Sequence, residues 1–153
     1  MKGEYEKALM YARKDPPQHD RALDLLSRAS ARGDARATYA LATWYLHGHV
    51  VAKNIRTGTT LLRRAAQGEV PEAVFDLAVS YETGVGVARS ERQAAKLYLK
   101  AALLGDREAM HSVGRCLYHG IGFVRDRVQA AVGLGQAESA TRTTRARQYR
   151  SVP

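Results

Sequence analysis

The chain contains two closely spaced histidines, a residue type that can bind metal ions or transfer protons. His111 and His119 flank Arg115 at intervals of four residues, so all three lie on one face if the segment is helical. Cys116 and His119 form a second pair of zinc-ligand types. A structural zinc site uses four ligands, and no carboxylate is well placed to complete either pair. We therefore predict no metal site and interpret His111, Arg115 and His119 as a surface or groove face.

Catalytic motifs are missing from the sequence. It contains no G-x-S-x-G nucleophile elbow, no P-loop, no H-E-x-x-H pair and no dinucleotide-binding fingerprint. The segment Gly84-Val85-Gly86 has the glycine spacing of a phosphate loop, but no strand is predicted before it, and we interpret it as a turn between helices. We therefore predict that the protein is not an enzyme and has no catalytic residue and no cofactor.

The elements that position these residues recur along the chain. Sliding the sequence against itself by about 36 residues superposes like residues, which is the signature of a repeat architecture. In the first helix of the repeat the superposed sets are Ala37, Ala73 and Ala109; Leu41, Leu77 and Val113; Tyr45, Tyr81 and Leu117; and Gly48, Gly84 and Gly120. In the second helix they are Leu26, Leu62, Tyr98 and Leu134, and Ala29, Ala65, Ala101 and Ala137. The pattern predicts an all-α fold of about four helix–turn–helix repeats.

The predicted repeats are followed by a tail. The repeats lie near residues 1–36, 37–72, 73–108 and 109–138, and residues 139–153 form a basic tail that we expect to be flexible. Helices are predicted from Glu4 to Lys14 and from Glu91 to Leu104. The predicted N-caps of three second helices are Asp20, Asn54 and Ser90.

Glycines punctuate the predicted repeats. Gly48, Gly84 and Gly120 should end the first helices, because glycine adopts positive φ at little cost. Gly33 should end a second helix in the same way. Gly58, by contrast, falls inside a second helix where the other repeats carry alanine, and we expect it to weaken that helix by about 1 kcal/mol.

Composition limits the class of protein. The single cysteine, Cys116, excludes an internal disulfide, and no apolar run approaches the roughly 20 residues that span a bilayer, so we predict no membrane association. The charged N-terminus lacks a signal-peptide pattern, so we expect a cytoplasmic protein, or a periplasmic one if a signal peptide has been removed. The formal net charge of +9 permits acidic proteins, nucleic acid or anionic surfaces as partners.

Two basic columns occupy equivalent positions of the repeats. Lys53, Arg89 and Arg125 stack in the turns, and Arg28, Arg64 and Lys100 stack on the second helices. Stacked cations could follow a phosphate backbone, and a tail with several arginines would add to such a surface. The tail arginines are Arg142, Arg145, Arg147 and Arg150. The interpretation that we favour is that the columns solvate the outer surface and pair with neighbours such as Glu91 or Asp126.

The third repeat carries the fullest motif. Its motif residues are Ala73, Leu77, Ala78, Tyr81, Gly84, Gly86, Val87, Ala94, Ala101, Ala102 and Gly105, and the fourth repeat has Ala109, Val113, Gly114, Gly120, Gly122, Asp126 and Ala130. Over residues 19 to about 138 this pattern resembles the Sel1-like repeat family, a relative of the tetratricopeptide repeats. The resemblance implies a right-handed α/α superhelical solenoid that serves as a protein-interaction scaffold, often as a bacterial adaptor.

The resemblance also implies a binding surface, because the first helices of the related repeats line a concave face. By that analogy three rows point inward: Tyr39, Phe75 and His111; Thr43, Val79 and Arg115; and His47, Thr83 and His119. An aromatic and aliphatic centre with a polar, partly cationic end suits a peptide or helix with apolar anchors and an acidic residue. The alternative is that Tyr39 and Phe75 mainly pack between neighbouring repeats.

The sequence therefore predicts a non-catalytic scaffold or adaptor that binds another protein or a peptide on this concave face. A bacterial immunity protein that neutralises a secreted effector is one alternative, by family analogy. A binder of nucleic acid or of another acidic partner, through the basic columns and the arginine-containing tail, is the other. The sequence leaves the identity of the partner and the oligomeric state open.

Overall fold

The structure, a computed structural model, describes residues 3–122. Its helices are α1 (Glu4–Ala12), α2 (His19–Ala31), α3 (Ala35–His47), α4 (Ile55–Gln67), α5 (Pro71–Thr83), α6 (Glu91–Leu103) and α7 (Arg107–His119). No strand occurs within the described residues, which confirms the predicted all-α fold. Some predictions concern residues outside this described range. They are the predictions for Arg125, for Asp126, for the second helix of the fourth repeat and for the tail at 139–153.

Contacts divide the described residues into two compact units, an N-terminal unit that ends at Ala73 and a C-terminal unit that begins at Val74. In the N-terminal unit α1 packs on α2, α2 on α3, and α3 on α4. Its buried core cluster consists of Ala8, Leu26, Ala29, Ala37 and Leu41, and the half-buried residues around it are Tyr5, Leu23, Leu25, Ala40, Trp44 and Leu61. The alanines let the helix backbones approach closely, and the larger side chains fill the remaining volume.

The repeat register is visible in the burial of the side chains. Leu26, Leu62 and Tyr98, which the repeat shift superposes, are each no more than 1% exposed. The superposed alanines Ala37, Ala73 and Ala109 have no exposed surface. In the C-terminal unit α6 packs on α7, as α2 packs on α3 in the N-terminal unit.

Helix starts follow local capping chemistry. The side chains of Asn54 and Ser90 accept hydrogen bonds from backbone amides of their own helices, at 3.0 and 3.2 Å. Both predicted N-caps are therefore confirmed. Asp34 and Asp106 cap α3 and α7 in the same way.

The prediction that Asp20 caps α2 is wrong. The helix begins at His19, because the backbone carbonyl of Gln18 already accepts a helical hydrogen bond from the amide of Ala22 at 3.1 Å. Asp20 therefore lies inside the first turn, where its carboxylate interacts favourably with the helix dipole instead of capping an amide.

Two helices end slightly before their predicted last residues. α1 stops at Ala12 rather than Lys14, and α6 stops at Leu103 rather than Leu104. The backbone amides of Lys14 and Gln18 both bond to the carbonyl of Tyr11, so the chain turns out of α1 at the two prolines, which cannot continue a helix.

Several turns between helices use the left-handed region at equivalent positions of successive repeats. Gly48, Gly84 and Gly120 have φ of 70°, 75° and 64°, and Gly33 has φ of 92°, so the predicted glycine stops are confirmed. The second repeat lacks glycine at two further positions of this kind. There Val50 has φ of 66° and Glu69 has φ of 59°.

These two residues are strained because a side chain with a Cβ atom costs about 1–2 kcal/mol in the left-handed region. Val50 occupies the register of Gly86 and Gly122, and Glu69 the register of Gly105. The strain is therefore concentrated in the second repeat.

The structure adds a packing role for Gly58 to its expected effect on the helix. A Cβ atom at this position would lie 2.6 Å from Cγ of Leu46 and 3.0 Å from its backbone nitrogen. Glycine costs helix propensity here, but it is what allows α4 to approach α3 at Leu46, so the same residue also supports the packing.

Candidate protein-interaction surface

The predicted surface residues of the N-terminal unit follow one another along α3. Tyr39, Thr43 and His47 lie at intervals of four residues and form the α3 row. Tyr39 and Thr43 are half-buried, and His47 is exposed. The Thr43 hydroxyl donates to the carbonyl of Ala40 at 2.8 Å, and His47 Nδ1 lies 2.9 Å from the carbonyl oxygen of Thr43. The two polar side chains of the row are thus held against their own helix.

In the C-terminal unit, Phe75, Val79 and Thr83 form a corresponding α5 row. Phe75 and Val79 are half-buried, whereas Thr83 is exposed and its hydroxyl donates to the carbonyl of Val79 at 2.8 Å. The ring of Phe75 packs against that of Tyr98, with centroids 5.5 Å apart and planes tilted by 53°. Phe75 therefore combines a packing contact with partial exposure.

The last predicted residues, His111, Arg115 and His119, form the α7 row and are all exposed. The ring of His119 meets the ring of Tyr118 edge-on, with a centroid distance of 4.9 Å. Tyr118 itself is 62% exposed, which is unusual for a large aromatic side chain. The sequence analysis did not single it out.

An ion pair connects the α5 and α7 helices beside these rows. Arg115 Nη1 lies 2.6 Å from Glu82 Oε1, and the hydroxyl of Tyr98 donates to Glu82 Oε2 at 2.5 Å. Both oxygens of one carboxylate are thus engaged, one by α7 and one by α6. The ion pair fixes the orientation of the Arg115 guanidinium group.

Glu82 is not among the residues predicted from the sequence, although the repeats contain a signal for it. At the register of Glu82 the neighbouring repeats carry Leu46 and Tyr118, and at the register of Tyr98 the earlier repeats carry leucine. Within one repeat, therefore, a carboxylate and a hydroxyl replace apolar residues together. A paired change of this kind indicates a hydrogen bond between the two positions.

The Glu82 contacts change the protonation chemistry of the three residues. The hydrogen bond from Arg115 lowers the pKa of Glu82, against the opposing effect of burial, and the Tyr98 hydroxyl adds to the lowering. Burial, and then the hydrogen bond to Glu82, raise the pKa of Tyr98. The hydrogen bond to Glu82 likewise raises the pKa of Arg115. At neutral pH the cluster therefore contains a carboxylate, a guanidinium and a neutral phenol.

The Cys116 thiol lies apart from the exposed histidines. It is 1% exposed, and burial raises its pKa, so the thiolate needed for metal binding or nucleophilic attack is disfavoured. Among residues 3–122, no group of three or more histidine, cysteine, aspartate or glutamate side chains is arranged to hold a metal ion. None of the described helices is both long and apolar enough to cross a membrane.

The basic columns are mostly engaged by other protein groups. Arg28 lies 3.7 Å from Glu4 and 3.6 Å from Asp24, and Arg89 lies 3.1 Å from Glu91, a pair that the sequence predicts. Arg64 Nη2 donates to the backbone carbonyl of Ser30 at 2.8 Å. Three of the five described column residues thus have an acceptor within the fold.

The family of the chain is decided by its repeats. The model of the Sel1 repeat matches residues 3–34, 35–69, 71–106 and 107–132. The chain belongs to the Sel1 repeat family. Sel1 repeat proteins generally act as protein–protein interaction scaffolds and are generally non-catalytic. The predicted family and the predicted all-α helical-repeat solenoid class are therefore confirmed.

Solved structures of bacterial proteins share the fold. A Sel1 repeat protein from Oxalobacter formigenes is 24% identical with a TM-score of 0.76, over 93% of this chain and 57% of that one. A protective antigen with an SLR fold from uropathogenic Escherichia coli is 27% identical with a TM-score of 0.75, over 89% of this chain and 30% of that one. This chain spans less than two thirds of both proteins.

A third structure, cysteine-rich protein B of Helicobacter pylori, is 23% identical with a TM-score of 0.64, over 69% of this chain and 79% of that one. The likeness to this protein concerns the fold alone. Its cysteine-rich composition is not shared, since this chain has a single cysteine. No curated protein matches the chain.

Proposed function

We propose that the protein is a non-catalytic scaffold or adaptor that binds a partner protein or peptide through the side chains of its first helices. The N-terminal unit offers the α3 row, and the C-terminal unit offers the α5 and α7 rows. Membership in the Sel1 repeat family supports the class of function. The location of the binding surface on these rows is supported by their side chains, which are exposed or half-buried.

The observation that carries the proposal is the surface around the Glu82–Arg115 ion pair in the C-terminal unit. Half-buried Phe75 and Val79 contribute apolar area, and the two exposed histidines of the α7 row contribute polar groups. Aromatic and arginine side chains are enriched among the residues that dominate binding energy. Because Glu82 already orients Arg115, less side-chain entropy is lost when a ligand binds. The surface suits a peptide or helix with an apolar anchor, and the charge of Arg115 is already largely compensated by Glu82.

A capture experiment tests this proposal. The immobilised full chain is exposed to lysate of its source organism, and captured proteins are quantified by mass spectrometry. The variants are Val79→Arg with Thr83→Arg on the α5 row, and Tyr39→Ala with Phe75→Ala. The control is Gln93→Arg with Lys96→Ala, on the exposed face of α6.

We expect the row variants to reduce enrichment of a specific partner by about tenfold or more, because truncated or blocked hot-spot residues cost on the order of 1–2 kcal/mol or more. The α6 control should leave the enrichment unchanged. Equal capture by wild type and both row variants, with folding verified by circular dichroism, would contradict the proposal. A secreted effector, the partner of the immunity-protein alternative, would be identified by the same experiment.

Nucleic-acid binding through the basic columns has less support. Arg28 and Arg89 are already paired with carboxylates, so fewer column charges are available to phosphates. Binding of random-sequence oligonucleotides at two salt concentrations tests this alternative. A steep loss of affinity with salt would favour it, and a flat response would remove it.

A further inference from the structure

The second repeat has an unusual distribution of charge. Between Asp34 and Glu69 the sequence contains no aspartate or glutamate, yet it contains Arg36, Lys53 and three arginines of α4. The repeats on either side contain both signs of charge. The only carboxylates of the second repeat, Glu69 and Glu72, therefore follow the end of α4, and none lies on α3, on α4 or in the turn between them.

The fold collects these charges on one side of α4. The exposed side of this helix consists of Arg56, Thr60, Arg63, Arg64 and Gln67, and the buried side consists of Gly58, Thr59, Leu62, Ala65 and Ala66. The spacing of three and four residues places the first set together along the helix. We name the first set the α4 cationic face.

The arginines of this face differ from other arginines of the N-terminal unit. Arg32 lies 3.0 Å from Glu4, and Arg36 lies 3.1 Å from Glu6, so their charges are largely compensated. Within residues 3–122, by contrast, no carboxylate forms an ion pair with Arg56 or Arg63.

The third arginine of the face, Arg64, is bound to a neutral acceptor. Its Nη2 donates to the backbone carbonyl of Ser30, which fixes the side chain without cancelling its charge. The α4 cationic face therefore has a surplus of positive charge on a rigid helix.

We propose that the α4 cationic face binds an acidic segment of a partner protein. Arg56 and Arg63 are seven residues apart, which is about 10 Å along a helix axis at 1.5 Å per residue. Carboxylates two turns apart on a partner helix have the same spacing, so two guanidinium–carboxylate pairs can form together. Thr60 lies between the two arginines and Gln67 lies beyond them, and both add polar contacts. Complementary charge gives such a site its selectivity.

The composition of α4 favours a protein partner over nucleic acid. The helix contains no aromatic residue on which a base could stack. A protein that binds duplex DNA strongly makes roughly six to ten contacts with phosphates, and the three arginines of α4 can supply only part of that number. An acidic peptide needs only the spacing and charge that the face provides.

This site is separate from the rows of the first helices, and the inference does not depend on them. It identifies a second surface and the chemistry of its partner. If the α3, α5 and α7 rows prove to bind no partner while the acidic peptide still binds, only the proposed function is contradicted. Loss of acidic-peptide binding with a working row surface would remove this inference alone.

The test uses the full chain and a fluorescein-labelled helical peptide with glutamates seven residues apart on one face. Fluorescence anisotropy compares it with a peptide in which glutamine replaces each of those glutamates. The variant Arg56→Glu with Arg63→Glu reverses the α4 cationic face. Arg92→Glu with Lys96→Glu, which reverses two exposed cations of α6, is the matched control because the change in net charge is the same.

We expect the glutamate peptide to bind and the glutamine peptide to bind at least tenfold more weakly. The α4 variant should weaken glutamate-peptide binding by about tenfold, because two attractive contacts become repulsive, while the α6 control changes it by less than about twofold. Unchanged melting curves exclude unfolding as the cause.

Three outcomes would overturn the inference. Equal binding of the two peptides would exclude recognition of carboxylates. Equal losses for the α4 and α6 variants would show an effect of net charge rather than a site. A labelled DNA oligonucleotide that binds more tightly than the glutamate peptide and depends on Arg56 and Arg63 would assign the face to nucleic acid instead.

Discussion

Glu82 and Arg115 lie 2.6 Å apart and join α5 to α7 within the C-terminal unit. The second oxygen of the same carboxylate accepts a hydrogen bond from Tyr98 on α6. One side chain therefore connects three consecutive helices. Because Arg115 belongs to the α7 row, this structural contact also positions a residue of the proposed binding surface.

The Glu82 cluster makes stability depend on acid. The folded state lowers the pKa of Glu82, so its contribution is fully present above the ordinary glutamate pKa of about 4.3 and is lost as the pH falls through the lower folded value. Glu82→Gln should reduce the free energy of unfolding by about 1–2 kcal/mol at pH 7. The difference between wild type and variant should shrink towards pH 3. Urea denaturation followed by circular dichroism measures both values.

Glu91→Gln is the control for this experiment, because it removes an exposed carboxylate that is paired with Arg89. It should change the stability by less than about 0.5 kcal/mol at either pH. If Glu82→Gln and Glu91→Gln have the same pH dependence, the Glu82 cluster does not carry the acid sensitivity.

Glu69 is a site where a smaller residue should stabilise the protein. Its φ of 59° lies in the left-handed region, and Gly33 and Gly105 occupy the equivalent positions. Glu69→Gly should raise the free energy of unfolding by about 1 kcal/mol, because glycine relieves the Cβ strain. Glu69→Ala removes the same carboxylate but keeps the Cβ atom, so it should give no such gain. Thermal unfolding of the three proteins distinguishes strain from charge, and equal stabilisation by both variants would rule out the strain.

Thr59 contains a buried hydroxyl that has no hydrogen-bond partner among the described residues. Thr59→Val keeps the shape and removes the polar group, and should stabilise the protein by about 1 kcal/mol. The matched control is Thr38→Val, because the Thr38 hydroxyl is buried and lies 2.7 Å from that of Ser30. That control should cost about 1–2 kcal/mol. Denaturant midpoints that shift in the same direction for both would contradict the assignment of Thr59 as unsatisfied.

Periodicity was sufficient to predict the repeats, because buried alanines and turn glycines are determined locally. The Asn54 and Ser90 caps were predictable for the same reason. The Glu82–Arg115 contact was not, since the two residues are distant in sequence and become neighbours only when three helices pack. The unpaired charge of Arg56 and Arg63 also depends on which carboxylates the fold brings near, and composition does not specify this.

Gly58 is the position where sequence propensity and packing predict opposite results. Propensity alone says that Gly58→Ala stabilises α4 by about 1 kcal/mol. In the structure the new Cβ would lie 2.6 Å from Leu46 Cγ and 3.0 Å from the Leu46 backbone nitrogen, and rotation of the Leu46 side chain cannot relieve the second contact. We therefore expect Gly58→Ala to destabilise the protein by about 1–3 kcal/mol, as overpacking does.

A double-mutant cycle with Leu46→Ala separates the two contributions to the Gly58→Ala effect. The side-chain part of the clash disappears in the Leu46→Ala background, so Gly58→Ala should cost at least about 1 kcal/mol less there than in wild type. Any cost that is left reflects the contact with the backbone nitrogen, which Leu46→Ala does not remove. Urea unfolding of the four proteins gives the coupling energy, and a value near zero would exclude the Leu46 side chain as the source of the cost. A Gly58→Ala protein that is more stable than wild type would mean that helix propensity, and not the approach of α3 and α4, determines which residue is tolerated at this position.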